Sequence, residues 1–285
     1  MVLSARPGTA SNRRLAEAAR AAAVDLQVVD ATALVAGSDG ELWRGAVRER
    51  DELPRGVLAR VGNWRPDSLL AVLETVTARG AATPNPAPAV RVGRDHWRTI
   101  QVLAAAGLPV PLTVVGADPE VLAATVGARL DMPVVVKQRR SRMGIGVIRC
   151  ERRDQLEAVL DSLWRVGDEL LVQRCVDSGG SSIRCLVVGA AVVAAARFSA
   201  TGTEWRSNAA RGGRVESISP DQEMIDLAVT AAETIGLGIC GVDLLPGKDG
   251  VVVGEVNPTP GFVSLESATG RDVAAAILAH LIEIS

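Results

Sequence analysis

Lysine is nearly missing from this chain. Among its 31 basic residues only Lys137 and Lys248 are lysines, so arginine is the default cation and each lysine is a departure from it. Histidine is equally scarce: His96 and His280 alone leave too few imidazoles for a histidine-rich metal centre or a Ser–His–Asp triad. The four cysteines (Cys150, Cys175, Cys185, Cys240) have no CxxC spacing and read as small core residues of a reducing compartment. The first third has no GxGxxG fingerprint, which removes the main support for a dinucleotide site there. The longest uncharged apolar run, residues 185–196, falls short of the roughly 20 residues a spanning helix needs. Behind Arg13 and Arg14, "LAEAARAAAV" carries charges that a signal-peptide core excludes. A net charge of −2 gives no reason to expect nucleic acid or an anionic membrane as partner. A cytoplasmic protein is expected.

What is present suits a protein with a real core. At 285 residues and 48% hydrophobic, the chain can form one large domain or two to three small ones. "MVLSA" and "DLQVVD" read as strands around a helix opened by Ser11 or Asn12, and "LARVG" as a third strand. Leu69, Val72, Leu73 and Val76 recur at helical spacing, with Gly80 as a stop. The three prolines of "ATPNPAPAV" (82–90) mark a linker. Beyond it the pattern changes to hairpins followed by helices. "PVVVK" and "GVIRC" flank a glycine-containing loop, and "SIRCLVVGAAVVAAARF" reverses at Gly189. Ser219 to Gln222 reads as a capping box before a helix that ends near 235, and "GVDLLPGKDGVVVGEV" turns at Lys248–Asp249. The expectation is an α+β protein in three lobes.

The final ribbon carries the first chemical signal. Glu255 and Asn257 stand two apart on a valine-rich strand and therefore on one face. With a regular register, Asp243 is expected opposite Glu255 or one diagonal step away. Two carboxylates and an amide, with no nitrogen or sulfur donor, suit Mg²⁺ shared with nucleotide phosphates. A plainly solvated hairpin face accounts for the same pattern. Lys137 adds a second signal, because a cation ending an apolar strand needs a partner or a ligand. The loop after it, "QRRSRMGIGV", offers Arg139, Arg140 and Arg142, with Gly144 and Gly146 letting backbone N–H groups approach a phosphate. A surface hairpin with a basic tip is the plainer account of that loop. Together, the two signals point to a nucleoside triphosphate held between lobes.

In order, Lys137 on its strand, the loop to Gly146, "LLVQRCV", "SIRCLVVG", "WRSNAARGG", "GVDLL" and "EVNPTPG" resemble the ATP-grasp fold. They most resemble its RimK-like branch of ADP-forming carboxylate-amine ligases, from about Leu58 to the end. The resemblance implies an ATP-grasp domain over 91–285, with a central lobe at about 107–178 and a C-terminal lobe at about 179–285. A small α/β, Rossmann-like domain over 1–90 would precede it. It implies ATP and Mg²⁺ (or Mn²⁺) as cofactors, an amino acid such as glutamate and a carboxylate acceptor as substrates, and a possible homo-oligomer. Lys137, Gly144 and Gly146 would meet the phosphates, and Arg174 and Cys175 the adenine. Ser182 would contact the nucleotide, and Arg206, Ser207 and Asn208 the phosphate and acyl-phosphate region. Arg184, Arg206 and Arg211 would steady the reacting groups, and Asp243, Glu255 and Asn257 would hold the metal. Three positions depart from the family pattern. His96 replaces a phosphate-binding lysine, Arg174 an acidic hinge residue and Ser182 an aspartate. Arg139, Arg140 or Arg142 is expected to make up for the lysine. The departures leave open an inactive nucleotide-binding regulator, and a peptide-modifying ligase is a further alternative.

Overall fold

In the computed structural model of the protein, residues 1–49, 53–62, 65–140, 146–164, 167, 169–201, 205 and 213–285 are described. Strand β1 (Val2–Ser4) feeds helix α1 (Ala10–Ala21), and β2 (Val28–Asp30) follows. Thr9 caps α1 by accepting the Asn12 amide at 3.3 Å. Ser11 and Asn12, the expected caps, sit buried in the first turn instead, where Asn12 Nδ2 donates to Ser4 Oγ at 2.9 Å. Strands β3 (Leu34–Ala36), β4 (Leu42–Arg44) and β5 (Val47–Arg48) form an antiparallel meander that no alternation in the sequence announces. Strand β6 (Leu58–Arg60) returns beside β1, giving a parallel sheet in the order β2–β1–β6, and α2 (Pro66–Ala78) follows.

The proline-rich stretch is not a loose linker. Pro86 is the N-cap of α3 (Ala87–Gly93) and Pro88 lies in its first turn, where a missing N–H removes no helical bond. Asn85 is fully buried. Its Nδ2 donates to Ile239 O (2.7 Å) and Pro258 O (3.1 Å), and its Oδ1 accepts the Ile239 amide (2.9 Å).

Helix α4 (His96–Ala105), capped by Asp95, leads to the middle of the chain. There β7 (Thr113–Val114), α5 (Pro119–Arg129), β8 (Val134–Gln138), β9 (Val147–Cys150), α6 (Arg153–Trp164) and β10 (Leu170–Arg174) follow. The strands pair antiparallel as β7–β10–β8–β9. They share a separate core with α5 and α6, built on Leu122, Val126, Val136, Leu156, Leu160 and Val172.

A five-stranded antiparallel sheet, ordered β13–β12–β11–β14–β15, closes the chain. It consists of β11 (Ser181–Val188), β12 (Ala191–Ser199), β13 (Arg214–Ser217), β14 (Ile239–Gly247) and β15 (Gly250–Asn257). Helix α7 (Gln222–Ile235) precedes β14, and α8 (Val263–Thr269) and α9 (Val273–Glu283) come last. Asp221, not Ser219, caps α7 by accepting the Met224 amide at 2.9 Å, and Gly236 at φ +84° ends it. One apolar core joins Leu3, Leu70 and Leu73 of the first third to Ile183, Val242 and Val253 of this sheet. Among the described residues no helix is long and apolar enough to cross a membrane.

Candidate functional site

A cavity of about 1140 Å³ opens between the four- and five-stranded antiparallel sheets and the C-terminal edge of the parallel one. Lys137 lines it from β8, Cys175 from just beyond β10, Arg184 from β11, Asp243 from β14 and Glu255 with Asn257 from β15. Lys137 Nζ donates to Gln173 Oε1 at 2.7 Å. Gln173 Nε2 donates to Thr113 Oγ1 at 2.9 Å, and that hydroxyl donates to Pro111 O at 2.8 Å. This chain of side chains fixes the ammonium. Burial pulls the ammonium below its ordinary pKa, against the attraction of Glu255 and Asp243.

The acidic face exists because the ribbon is irregular. Gly247 pairs with Gly250 and Leu244 with Val253, so a regular ladder would set Asp243 opposite Gly254 and turn Glu255 to the other face. A β-bulge between Asp243 and Leu244 takes up Gly254 and pairs Asp243 with Glu255. The expected opposition therefore holds, but through a bulge and not through the regular register assumed from the sequence. The same insertion lets Val253 and Val256, three residues apart, both enter the core. Asn257 pairs with Gly241, two residues along, and so shares the face.

Arg184 is the next neighbour across the sheet, paired with Asp243. Its Nε and Nη2 grip the two Asp243 oxygens at 2.6 Å each, and its guanidinium lies 5.3 Å from the Phe198 ring centre. Burial alone would lower the guanidinium's pKa; the adjacent Asp243 charge and hydrogen bonds reverse this and raise it. Burial pushes the Asp243 carboxyl up, Arg184 opposes, and the nearby Glu255 adds to the rise. Each Asp243 oxygen keeps a second lone pair, so the clamp leaves room for a cation. Asn257 Oδ1 accepts the Thr259 amide at 2.9 Å. Among the described residues no three His, Cys, Asp or Glu side chains cluster as a metal site; the set here is two carboxylates and an amide. That oxygen-only donor set suits Mg²⁺, which typically keeps several waters.

Arg174, Cys175 and Ser182 also line the cavity, and the Arg174 amide donates to Leu112 O at 2.9 Å. Gly146 adopts φ +69°, and its carbonyl accepts the Gln138 amide at 3.1 Å. Gly144, Arg206, Ser207, Asn208 and Arg211 lie outside the described residues, as does Arg142. The expected compensation for His96 fails for Arg139. Asp95, the α4 cap, is 2% exposed and needs a counter-charge, so Arg139 binds it together with Glu169 (2.9 Å). Arg140 is exposed and does not line the cavity, whereas Arg94 and Arg149 do. The sequence reading missed both, together with Gln173 and Arg60. Gln173 carries a usable signal, a polar residue inside the apolar run "LLVQR". In a chain this rich in arginine, the others carry none.

A model of the RimK-like ATP-grasp domain matches residues 93–281. The probable alpha-L-glutamate ligase 2 of Pseudoalteromonas atlantica is 33% identical over 286 residues, covering 99% of this chain and 94% of that protein. The probable alpha-L-glutamate ligase of Saccharophagus degradans is 34% identical, covering 97% and 93%. Among solved structures, the RimK domain ATP-grasp protein of Sphaerobacter thermophilus superposes with a TM-score of 0.77 at 24% identity, covering 99% of this chain and 98% of that one. The ATP-grasp ligase PsnB complexed with minimal precursor gives 0.77 at 22%, covering 100% and 98%. With the lysine, the clamped Asp243 beside Glu255 and the sheets around them in place, the chain belongs to the RimK-like ATP-grasp family and is an ATP-dependent carboxylate-amine ligase.

Proposed function

We propose that this ligase joins glutamate, through its amine, to a carboxyl-terminated acceptor. The observation that carries the reading is Lys137 facing the Asp243–Glu255–Asn257 set within one cavity. The relatives named as alpha-L-glutamate ligases, similar along nearly their whole length, favour glutamate over a peptide-crosslinking role.

In this reading Lys137 and Gly146, with Gly144, meet the nucleotide phosphates, while the backbone at Arg174 and Cys175 faces adenine and Ser182 contacts the nucleotide. Asp243, Glu255 and Asn257 would hold Mg²⁺, with Mn²⁺ as a substitute. The metal would neutralise phosphate charge and align the transferring group. An acceptor carboxylate oxygen attacks the γ-phosphorus and ADP leaves. The amine nitrogen then attacks the acyl carbon, phosphate departs, and the nitrogen loses a proton to leave the amide. Arg184 orients Asp243, and Arg206, Ser207, Asn208 and Arg211 steady the phosphoryl and acyl groups. Such transfer depends on positioning and charge more than on a nucleophilic side chain, which fits a chain with two histidines.

The test is ADP release with glutamate and a panel of carboxylic acids. It is expected to require Mg²⁺ and both substrates, and to fall about 100-fold or more in Glu255→Gln. ATP binding without turnover across the panel would favour the inactive regulator. Turnover with a peptide acid and amine in place of free glutamate would favour the peptide-modifying alternative.

A further inference from the structure

Arg60 is buried, and among the described residues no carboxylate pairs with it. It ends β6 beside Ser4, the last residue of β1, and the residue is 9% exposed. Among the described residues its guanidinium has one hydrogen bond, from Nη2 to Pro260 O at 3.0 Å, and lies 5.7 Å from the Phe262 ring centre. A carbonyl and a ring face do not neutralise a cation. Burial, with no carboxylate in opposition, brings its pKa down to about 10. A guanidinium has five N–H donors in a planar fork, so most of this fork is uncommitted.

Its surroundings lean the same way. Ser4, 3% exposed, accepts at Oγ from the Arg6 amide (3.2 Å) and from Asn12 Nδ2 (2.9 Å). With two donors aimed at that oxygen, its hydroxyl hydrogen is left to donate elsewhere, and Ser4 lines the cavity. The start of α1 lines the same end through Thr9, Ala10 and Ser11. The first amides of a helix have no intrahelical acceptor and carry a partial positive charge. Open parallel sheets bind ligands at the carboxyl ends of their strands, where Ser4 and Arg60 stand. Every donor at this end suits an anion, and the phosphate site proposed above is built on Lys137, which comes from a different sheet.

We propose that Arg60, with Ser4 Oγ and the first turn of α1, binds a carboxylate of the substrate other than the one activated. The proposal rests on the ligase reading of this cavity. Two sources share the chemistry: the α-carboxylate of the incoming amino acid and a second carboxylate on the acceptor. A planar carboxylate matches the guanidinium fork with two parallel hydrogen bonds. Arg60 then decides which acids and amino acids are used, and its tie to Pro260 O places that choice three residues beyond Asn257.

The experiment measures ADP release at saturating ATP for wild type, Arg60→Lys and Arg60→Gln. In Arg60→Gln, KM for one substrate is expected to rise about 10- to 100-fold with KM for ATP unchanged, and Arg60→Lys to recover part of the loss. A rise confined to the amino acid identifies its α-carboxylate; a rise confined to the acceptor identifies the second carboxylate. Capping the relevant carboxylate as an amide costs wild type the same factor and costs Arg60→Gln nothing further. An equal acid-to-amide preference in wild type and Arg60→Gln overturns the proposal. So does equal use of acid and amide by wild type, which needs no variant to fold. If no acid and amine pair is turned over, calorimetry with glutamate on the ADP·Mg²⁺-loaded protein separates the two readings. Glutamate binding lost in Arg60→Gln while ADP binding persists upholds the carboxylate site even though the ligase reading fails. No binding of glutamate or of any dicarboxylic acid by wild type overturns it.

Discussion

Lys137 on β8 and Cys175, just past the end of the neighbouring β10, face one cavity, and burial moves their pKa values in opposite directions because it penalises whichever form is charged. The ammonium is pulled down. The Cys175 thiol is pushed up by burial first, with Arg149 and Lys137 opposing. The thiolate is the form that reacts with an alkylating agent. A raised thiol pKa therefore leaves less thiolate at pH 8 than a free cysteine has, and the reaction speeds up as pH climbs toward that pKa. Cys185 and Cys240 are pushed up to about 12 and are fully buried, so they stay silent in the folded protein. Iodoacetamide at pH 8, read by mass spectrometry, is expected to label Cys175 slowly and first, with ATP·Mg²⁺ slowing it further. Fast labelling at pH 7 contradicts the burial, and labelling indifferent to ATP contradicts the nucleotide-contacting role. At this scale legibility followed rarity. Lys137 stood out because lysine is scarce, whereas Arg60, Arg94 and Arg149 were lost among many arginines.

Strands and helices were easier to locate than their terminal details. Alternation and proline–glycine punctuation marked the hairpins β11–β12 and β14–β15, since one face of each must enter a core. Caps were missed at Thr9 and Asp221, because neighbouring polar residues compete and only backbone geometry decides among them. The bulge was missed for a deeper reason: a two-residue period cannot reveal where one residue is inserted. A Cβ at Gly254 would sit 2.9 Å from Leu245 Cδ1 and Cγ and 3.4 Å from Asp243 O, so the bulge closes only around a residue without one. Gly254→Ala is expected to destabilise the fold by about 1–3 kcal/mol, read as a lower urea midpoint at unchanged slope. Leu245→Ala added to it should recover part of that cost, since the clash is with the leucine. Additive losses in the double variant would place the strain in the backbone and not in this contact.

At the scale of the molecule, the cores divide the chain differently from its linear order. The first third shares a core with the last sheet, while the middle sheet packs on α5 and α6 around its own. By sequence the proline-rich stretch reads as a linker because prolines interrupt helices; in the fold its role lies in Asn85, whose three bonds tie it to the start of β14 and the loop after β15. No local pattern announces a contact across 154 residues. Asn85→Leu removes all three bonds and leaves Ile239 and Pro258 polar groups buried without them, a cost of about 2–5 kcal/mol. Because the bonds cross within the shared core, their loss is felt on both sides of it. Hydrogen exchange on Asn85→Leu is expected to show β1, β6, β11 and β14 losing protection together while β8 and β10 keep theirs. Loss of protection confined to β1 and β6 would mean that the first third opens by itself, and that the shared apolar core does not couple it to the sheet carrying Asp243 and Glu255.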